Sequence, residues 1–133
     1  MSPMELDSRL VDAVELFNTG EFFACHDVLE EIWTDTLAED RTFYQGLIHA
    51  AVALHHFEEG NPGGARKMSL SARRYLAPFL PSHAGLDVEG FLQEFERCFA
   101  DLMAATPATI QSIALDPDRL PRLRWRPPSS TTG

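Results

Sequence analysis

The chain has 133 residues and an apolar fraction of 44%, which fits one domain around a single hydrophobic core. Twenty Asp and Glu against eleven Lys and Arg give a formal net charge of −9. This charge argues against nucleic acid or an anionic membrane as the main partner. No apolar run is long enough to span a membrane and no signal-peptide pattern opens the chain, so we expect a cytoplasmic protein.

The charge is divided unevenly along the chain. Residues 1–118 hold all of the acidic residues, and we predict one all-helical domain there. Residues 119–133 form an Arg- and Pro-rich tail that we expect to be partly disordered. Its four arginines would lie across the acidic body with Trp125 as an apolar anchor, or would contact another subunit.

Caps and apolar spacing predict the first two helices. Ser2-Pro3-Met4-Glu5 supplies an N-cap, a proline and a capping-box glutamate, so helix one begins there and runs to about Asn18. Gly20 makes the turn, and helix two covers about 21–35. Cys25 on its apolar stripe is expected to be a buried core thiol, and two cysteines are too few for a disulfide scaffold.

Three further helices follow the same signals. Helix three covers about 41–59 and is stopped by Gly60, and Asn61-Pro62 then caps helix four. Asp87 caps helix five, which runs to about residue 105, and a short helix is predicted near 108–114. The basic face of helix four is expected to be solvated or salt-bridged surface and not an anion site; it consists of Arg66, Lys67, Arg73 and Arg74.

The fold class that follows is all-α, with no sheet. Phe17-Asn-Thr-Gly20 matches Phe57-Glu-Glu-Gly60 forty residues later, and each segment joins two helices. Two helical hairpins packed as a compact bundle of about five helices are the simplest architecture. The predicted core contains Phe17, Phe22, Leu29, Ile32, Leu47, Leu54 and Leu76.

Polar side chains interrupt the apolar helices at regular spacing. His26, Glu30 and Trp33 stand at i, i+4 and i+7 of predicted helix two, so they share one face. Gln45 and His49 repeat the i, i+4 spacing within helix three. The pattern predicts a ligand-binding site lined by these five side chains.

We expect helices two and three to place these groups in one polar layer. If the helices are antiparallel neighbours joined by a short loop, His26 lies level with His49 and Glu30 lies level with Gln45. Gly46 in the same layer would let the two backbones approach closely.

Two neutral imidazoles and a carboxylate suit zinc or a similar divalent ion with positions left open for water. We therefore predict His26, Glu30 and His49 as metal ligands. His55 or His56 could add a ligand only if the helix register shifted. In the alternative interpretation, His26 and Glu30 are a hydrogen-bonded structural pair and no metal is bound.

Four ordered blocks of sequence resemble a known family. They are His26-x3-Glu30-x2-Trp33, Phe43-Tyr-Gln45-Gly46-Leu47-Ile48, Ala51-x-Ala53-Leu54-x-His56 and Gly60-Asn61-Pro62-x-Gly64-Ala65. Their order and spacing are similar to the bacterial and archaeal helical family called domain of unknown function 309, over roughly residues 12–80. The resemblance implies an all-helical fold and a site at His26, Glu30 and Trp33, where metal binding is suspected. It leaves the reaction open, and His49 is outside the signature.

Three classes of function fit these observations. A metal-dependent hydrolase or related enzyme would use water on the ion, with Glu31 or Asp27 as the base. A helical-hairpin protein-interaction module or a small oligomeric structural protein would need the polar layer only for helix packing. The chain has no phosphate loop, no Rossmann glycine pattern and no serine nucleophile elbow, so nucleotide-dependent chemistry is not expected.

Overall fold

The computed structural model describes residues 7–126, and it confirms the predominantly helical fold. Single turns of 3-10 helix lie at Ala77–Phe79, Ile110–Ser112 and Pro117–Arg119. The helices in chain order are α1 (Ser8–Asn18), α2 (Phe22–Asp35), α3 (Asp40–Glu58), α4 (Pro62–Leu76), α5 (Val88–Cys98) and α6 (Ala100–Ala104). None of the helices described between residues 7 and 126 is long and apolar enough to cross a membrane.

Side-chain caps set the start of three helices, α1, α4 and α5. The predicted start of helix one at Ser2–Glu5 lies outside the described residues. Within them, the Asp7 carboxylate accepts a hydrogen bond from the Arg9 backbone N–H at 2.9 Å and caps α1. Asn61 caps α4 in the same way through the Gly64 N–H at 3.1 Å, and Asp87 caps α5 through the Gly90 N–H at 3.0 Å, as predicted.

Gly20 and Gly60 end the first helix of each hairpin in the left-handed conformation that the sequence predicts, with φ of 85° and 77°. No neighbouring atom lies within 4 Å of a Cβ built at either position, so the requirement for glycine there is conformational and not steric.

Replacing either glycine with valine should lower the free energy of unfolding by about 1–2 kcal/mol, because a β-branched residue tolerates positive φ poorly. Urea unfolding measures this loss. The asparagine variants Gly20→Asn and Gly60→Asn are the controls, since asparagine enters this conformation readily and should lose clearly less. Equal losses for valine and asparagine would mean that the backbone conformation is not the cause.

The expectation that the fold has no sheet is wrong in one place. Ser82–His83 (β1) pairs antiparallel with Leu86–Asp87 (β2), with Ser82 opposite Asp87 and His83 opposite Leu86. Ala84 and Gly85 between them both have positive φ, 52° and 81°. Two successive residues with positive φ form the turn that closes a two-residue hairpin.

The C-terminal third also differs from the prediction in its helices. The helix predicted from Asp87 to about residue 105 breaks at Phe99, where φ is −99° and ψ is 6°, so α5 and α6 are separate. The short helix predicted near 108–114 is only the 3-10 turn Ile110–Ser112.

The predicted core is confirmed. All seven side chains named from the helical spacing are at most 2% exposed. Cys25 is fully buried as expected, and its Sγ lies 3.3 Å from the carbonyl oxygen of Ala13. Burial raises the pKa of the Cys25 thiol to about 12, so this cysteine is an unreactive core residue.

The first part of the predicted tail packs on the body. Arg124 contacts Glu94 at 2.6 Å and Arg126 contacts Asp87 at 2.7 Å, which are the expected pairings with acidic groups. The apolar anchor is Leu123, which is 4% exposed, whereas the predicted anchor Trp125 is 39% exposed. The predicted disorder concerns residues 127–133, which lie outside the described residues.

Helix α3 is the central helix, since it packs against α2 on one side and α4 on the other. Gly46 serves the second of these contacts and not the first, which corrects the expectation from sequence. A Cβ on Gly46 would lie 2.7 Å from both Cγ and Cδ2 of Leu76 and 3.2 Å from Cβ of Tyr75. The missing side chain therefore lets α4 approach α3 and positions Tyr75 next to the polar groups of α3.

Candidate functional site

His26 and Glu30 form a pair on the half-exposed face of α2. Nε2 of His26 lies 3.1 Å from Oε2 of Glu30, as the i, i+4 spacing predicts. The His26 side chain is 20% exposed and that of Glu30 is 54% exposed, so the imidazole is mostly covered while the carboxylate faces solvent. The pair is therefore open to an incoming ion or ligand.

Asp27 completes a group of three ligand-capable side chains. Its Oδ1 lies 3.3 Å from Nδ1 of His26. This contact is not aligned as a hydrogen bond, so the buried Nδ1 has no hydrogen-bond partner within residues 7–126. One donor atom each from His26, Asp27 and Glu30 lies within 4.8 Å of the others. This is a compact N,O,O set on a single helix.

Gln45 and His49 form a second pair on α3. Nε2 of Gln45 lies 2.8 Å from Nε2 of His49, and since an amide nitrogen only donates, the ring nitrogen accepts. The His49 ring packs edge-on against Tyr75 of α4, with centroids 5.1 Å apart. Among the residues that the structure describes, no hydrogen bond joins this pair to His26 or Glu30.

The register of α2 against α3 differs from the assumed one by about three residues, or nearly one helical turn. The Phe23 ring lies 5.4 Å from the His55 ring, and His26 shares a small cavity with Val52 and His55. His26 is thus level with the segment near Val52 instead of His49. A metal ion shared with His49 stays a prediction, and in the structure Asp27 supplies the third donor atom.

Trp33 lies at the C-terminal end of α2 and is partly buried. The guanidinium carbon of Arg41 sits 3.7 Å from the centroid of its ring, and Arg41 Nε donates to the Trp33 carbonyl oxygen at 3.3 Å. Gln45 lines the same pocket as Trp33, so these two predicted site residues are brought together. They are separated along the groove from the His26 group.

Burial lowers the pKa of His49, and the positive charge of Arg74 lowers it further. Its Nδ1 is also buried without a hydrogen-bond partner in the described part of the chain. Both observations indicate a neutral imidazole at neutral pH.

Stability should therefore fall when the solution is acidified. Below the ordinary histidine pKa of 6.5, the unfolded chain takes up a proton that folded His49 resists, so protonation favours unfolding. Urea unfolding between about pH 5 and pH 8 should show this slope, and His49→Gln should show a shallower one. An identical slope in both proteins would contradict the assignment.

Three residues of the site region are missed or misjudged from the sequence. From the sequence, Asp27 is predicted only as a possible base. Its position next to His26 and three residues before Glu30 could have identified it as a candidate metal ligand. Arg41 and Tyr75 carry no local signal of a role, since they meet Trp33 and His49 only through packing between helices.

Comparison with known proteins agrees with the resemblance seen in the sequence. Residues 10–68 match the family model "Domain of unknown function (DUF309)", a stretch that includes all five predicted site residues. The chain is similar to an uncharacterized protein of Aquifex aeolicus (strain VF5), with 35% identity over 89 residues. It is also similar to the uncharacterized protein YpuF of Bacillus subtilis (strain 168), with 36% identity over 64 residues.

These alignments cover only parts of the proteins compared. They include 64% and 47% of this chain, and the chain spans 27% of the Aquifex protein and 37% of the Bacillus protein. The family prediction is confirmed for residues 10–68, while the match does not itself test the His-x3-Glu-x2-Trp motif.

Proposed function

We propose that the His26 group on α2, which lies within the stretch that matches the DUF309 family model, binds a divalent metal ion. The observation that supports this function is the N,O,O set of His26, Asp27 and Glu30, whose donor atoms lie within 4.8 Å of one another. His49, the third ligand expected from sequence, is retained as an alternative to Asp27.

The donor set fits a small divalent cation. Metal–ligand bonds of about 2.0–2.2 Å put neighbouring ligand atoms about 3–4 Å apart, close to the separations observed. The 3.1 Å between His26 Nε2 and Glu30 Oε2 already falls in that range. Nε2 of the His26 ring faces Glu30, and Nδ1 faces Asp27 on the opposite side. A single ion can bind only one of these two nitrogens. The carboxylate that faces the other nitrogen must therefore rotate toward the ion.

The surroundings favour a cation over an anion at this position. Glu30 and Asp27 are exposed carboxylates, and the chain as a whole has a net charge of −9. A neutral imidazole with two carboxylates suits zinc or a similar ion, which would supply Lewis-acid chemistry and an acidified water at its open positions. With Asp27 as a ligand, Glu31 is the remaining candidate base for an enzymatic role.

The proposal is tested by calorimetric titration of the untagged full chain with Zn²⁺. We expect one site, with binding weakened at least about tenfold in Glu30→Gln and lost in His26→Ala. Comparing Asp27→Asn with His49→Ala decides between the two candidate third ligands, because only the true ligand variant should weaken binding.

A matched control is available elsewhere in the fold. His83 pairs with Asp40, with Nε2 and Oδ1 2.9 Å apart, and this pair belongs to no group of three donor residues in the described chain. His83→Ala should leave the titration unchanged. Equal loss of binding in His83→Ala and His26→Ala would show unspecific histidine binding and would contradict the proposed site.

A second candidate function is a protein-interaction or oligomeric module, in which the polar pairs only stabilise helix packing. One observation favours it: Phe23 on α2 is 58% exposed, beside a cavity of about 180 Å³ that is lined by Phe22, Val52 and histidines. A large exposed aromatic next to an apolar cavity is a surface that a partner could cover.

Analytical ultracentrifugation of the wild type and Phe23→Glu tests this second function. A self-associating surface predicts a wild-type dimer that the charged substitution dissociates while the far-UV spectrum is unchanged. A wild type that is monomeric at every concentration would exclude the homo-oligomeric version.

A further inference from the structure

A separate small pocket lies at the other end of the α2–α3 groove, outside the His26 group. Trp33 comes from the last turn of α2, Arg41, Thr42 and Gln45 come from the first turns of α3, and Tyr75 comes from α4. Its volume is about 190 Å³, below the several hundred cubic ångströms of a typical small-molecule pocket. Only a small ligand, or the charged end of a longer one, fits inside.

The polar groups of this pocket are able to donate hydrogen bonds. Arg41 contributes a guanidinium, Thr42 and Tyr75 contribute hydroxyl groups, and Gln45 contributes an amide. No aspartate or glutamate lines it. Within residues 7–126, the two hydroxyl groups make no hydrogen bond to the protein. A pocket rich in free donors and lacking carboxylates is complementary to an oxyanion.

Two contacts hold Arg41 against Trp33. The guanidinium stacks on the Trp33 ring at 3.7 Å, and its Nε donates to the Trp33 carbonyl oxygen at 3.3 Å. Both contacts leave the two terminal nitrogens free, and no carboxylate of the described residues lies within 4.0 Å of them. A stacked guanidinium with a free edge presents two parallel N–H groups, the geometry that binds carboxylate or phosphate with two hydrogen bonds.

A second arginine, Arg74, lies near the pocket although the chain as a whole is strongly acidic. Arg74 also has no carboxylate partner in the described residues, and its guanidinium lies 5.4 Å from the Tyr75 ring that forms one wall. Asp40, the acidic residue next to Arg41 in the chain, is engaged with His83. Two arginines without acidic partners therefore flank one pocket of a protein with net charge −9.

We propose that this pocket binds a small oxyanion, a carboxylate or a phosphate group, through the free edge of Arg41 with Thr42 and Tyr75 as further donors. Trp33 holds Arg41 in place at the pocket through the ring contact and the carbonyl hydrogen bond. The pocket shares no residue with His26, Asp27 or Glu30, so it is separate from the metal site that these three residues would form.

Trp33 provides the readout in a Trp125→Phe background, where it is the only tryptophan. Metal-free protein is titrated with inorganic phosphate and, separately, with acetate at constant ionic strength set by NaCl. We expect a saturable change in Trp33 fluorescence and a matching rise in melting temperature. Saturation with phosphate alone, acetate alone or both supports the site and identifies which oxyanion it takes.

Variants assign the binding to the pocket. Arg41→Gln should weaken the oxyanion about tenfold or more, and Arg41→Lys should weaken it less, because lysine keeps the charge without the planar fork. Thr42→Val keeps the Arg41–Trp33 stack and should weaken binding on its own, even if Arg41→Gln folds poorly. Lys67→Gln, which removes an exposed charge on α4, is the matched control and should bind normally.

The outcomes separate this proposal from the metal site. His26→Ala should bind the oxyanion with unchanged affinity, whether or not the protein binds Zn²⁺. A linear, non-saturating response to both salts would overturn the proposal. So would a saturable response that is equally strong in Arg41→Gln, Thr42→Val and Lys67→Gln, since binding would then lie elsewhere.

Discussion

Glu30→Leu is expected to abolish divalent-metal binding while changing the free energy of unfolding by no more than about 1 kcal/mol. The Glu30 side chain is 54% exposed, so its contact with His26 is a surface pair that contributes little to stability. Metal titration and urea unfolding of the same protein sample measure the two effects.

Glu31→Leu is the matched control for this prediction. Glu31 is also exposed on α2, but it is not part of the three-residue donor group. The Glu31→Leu variant should still bind metal, although it makes the same change of charge and side-chain type as Glu30→Leu. A variant Glu30→Leu that binds metal as tightly as Glu31→Leu would rule out Glu30 as a ligand.

Gly46→Val should destabilise the protein more than valine at either of the turn glycines, Gly20 and Gly60. Even a Cβ at this position would lie 2.7 Å from two carbons of Leu76, a fully buried side chain that would have to shift. The steric cost of about 1–3 kcal/mol or more outweighs the gain in helix propensity, which is below about 1 kcal/mol. Thermal and urea unfolding should both show the loss.

Gly63→Ala separates this steric effect from propensity. Gly63 lies in the first turn of α4, and no neighbouring atom lies within 4 Å of a Cβ built there. Alanine at that position should be neutral or stabilising. If Gly46→Val and Gly63→Ala had similar free energies of unfolding, the claim that α4 approaches α3 closely at Gly46 would be contradicted.

The helices and core were predictable because they depend on local signals. Each of these signals comes from a short stretch of sequence: the caps at Asn61 and Asp87, the left-handed Gly20 and Gly60, and the 3.6-residue apolar period. The hairpin at 82–87 was missed because its turn uses Ala84 with positive φ, a conformation that alanine seldom adopts and that its sequence does not signal.

The site was predictable only within each helix. The spacing of His26 with Glu30, and of Gln45 with His49, places each pair correctly at hydrogen-bond distance. The relation between the pairs depends on the register of α2 against α3, which the loop length alone does not fix to better than about one turn. Packing sets that register and brings His26 toward Val52.

The same limit explains why the oxyanion pocket has no sequence signature. Arg41 reaches Trp33 across the α2–α3 connection, and Tyr75 arrives from α4 because Gly46 admits that helix. The basic residues of α4 were interpreted as solvated surface, and Arg73 does pair with Glu96 at 3.4 Å. Arg74 differs from Arg73 because it has no carboxylate partner among residues 7–126 and lies over the Tyr75 ring instead.

Elemental analysis of the untagged chain, with His26→Ala purified in parallel and both prepared without chelator, tests the central claim most directly. The metal-site account predicts close to one divalent ion per wild-type chain and almost none in the variant, with both proteins showing the same helical far-UV spectrum. Equal metal content in the two proteins, or a wild type that neither carries nor takes up a divalent ion, would contradict it.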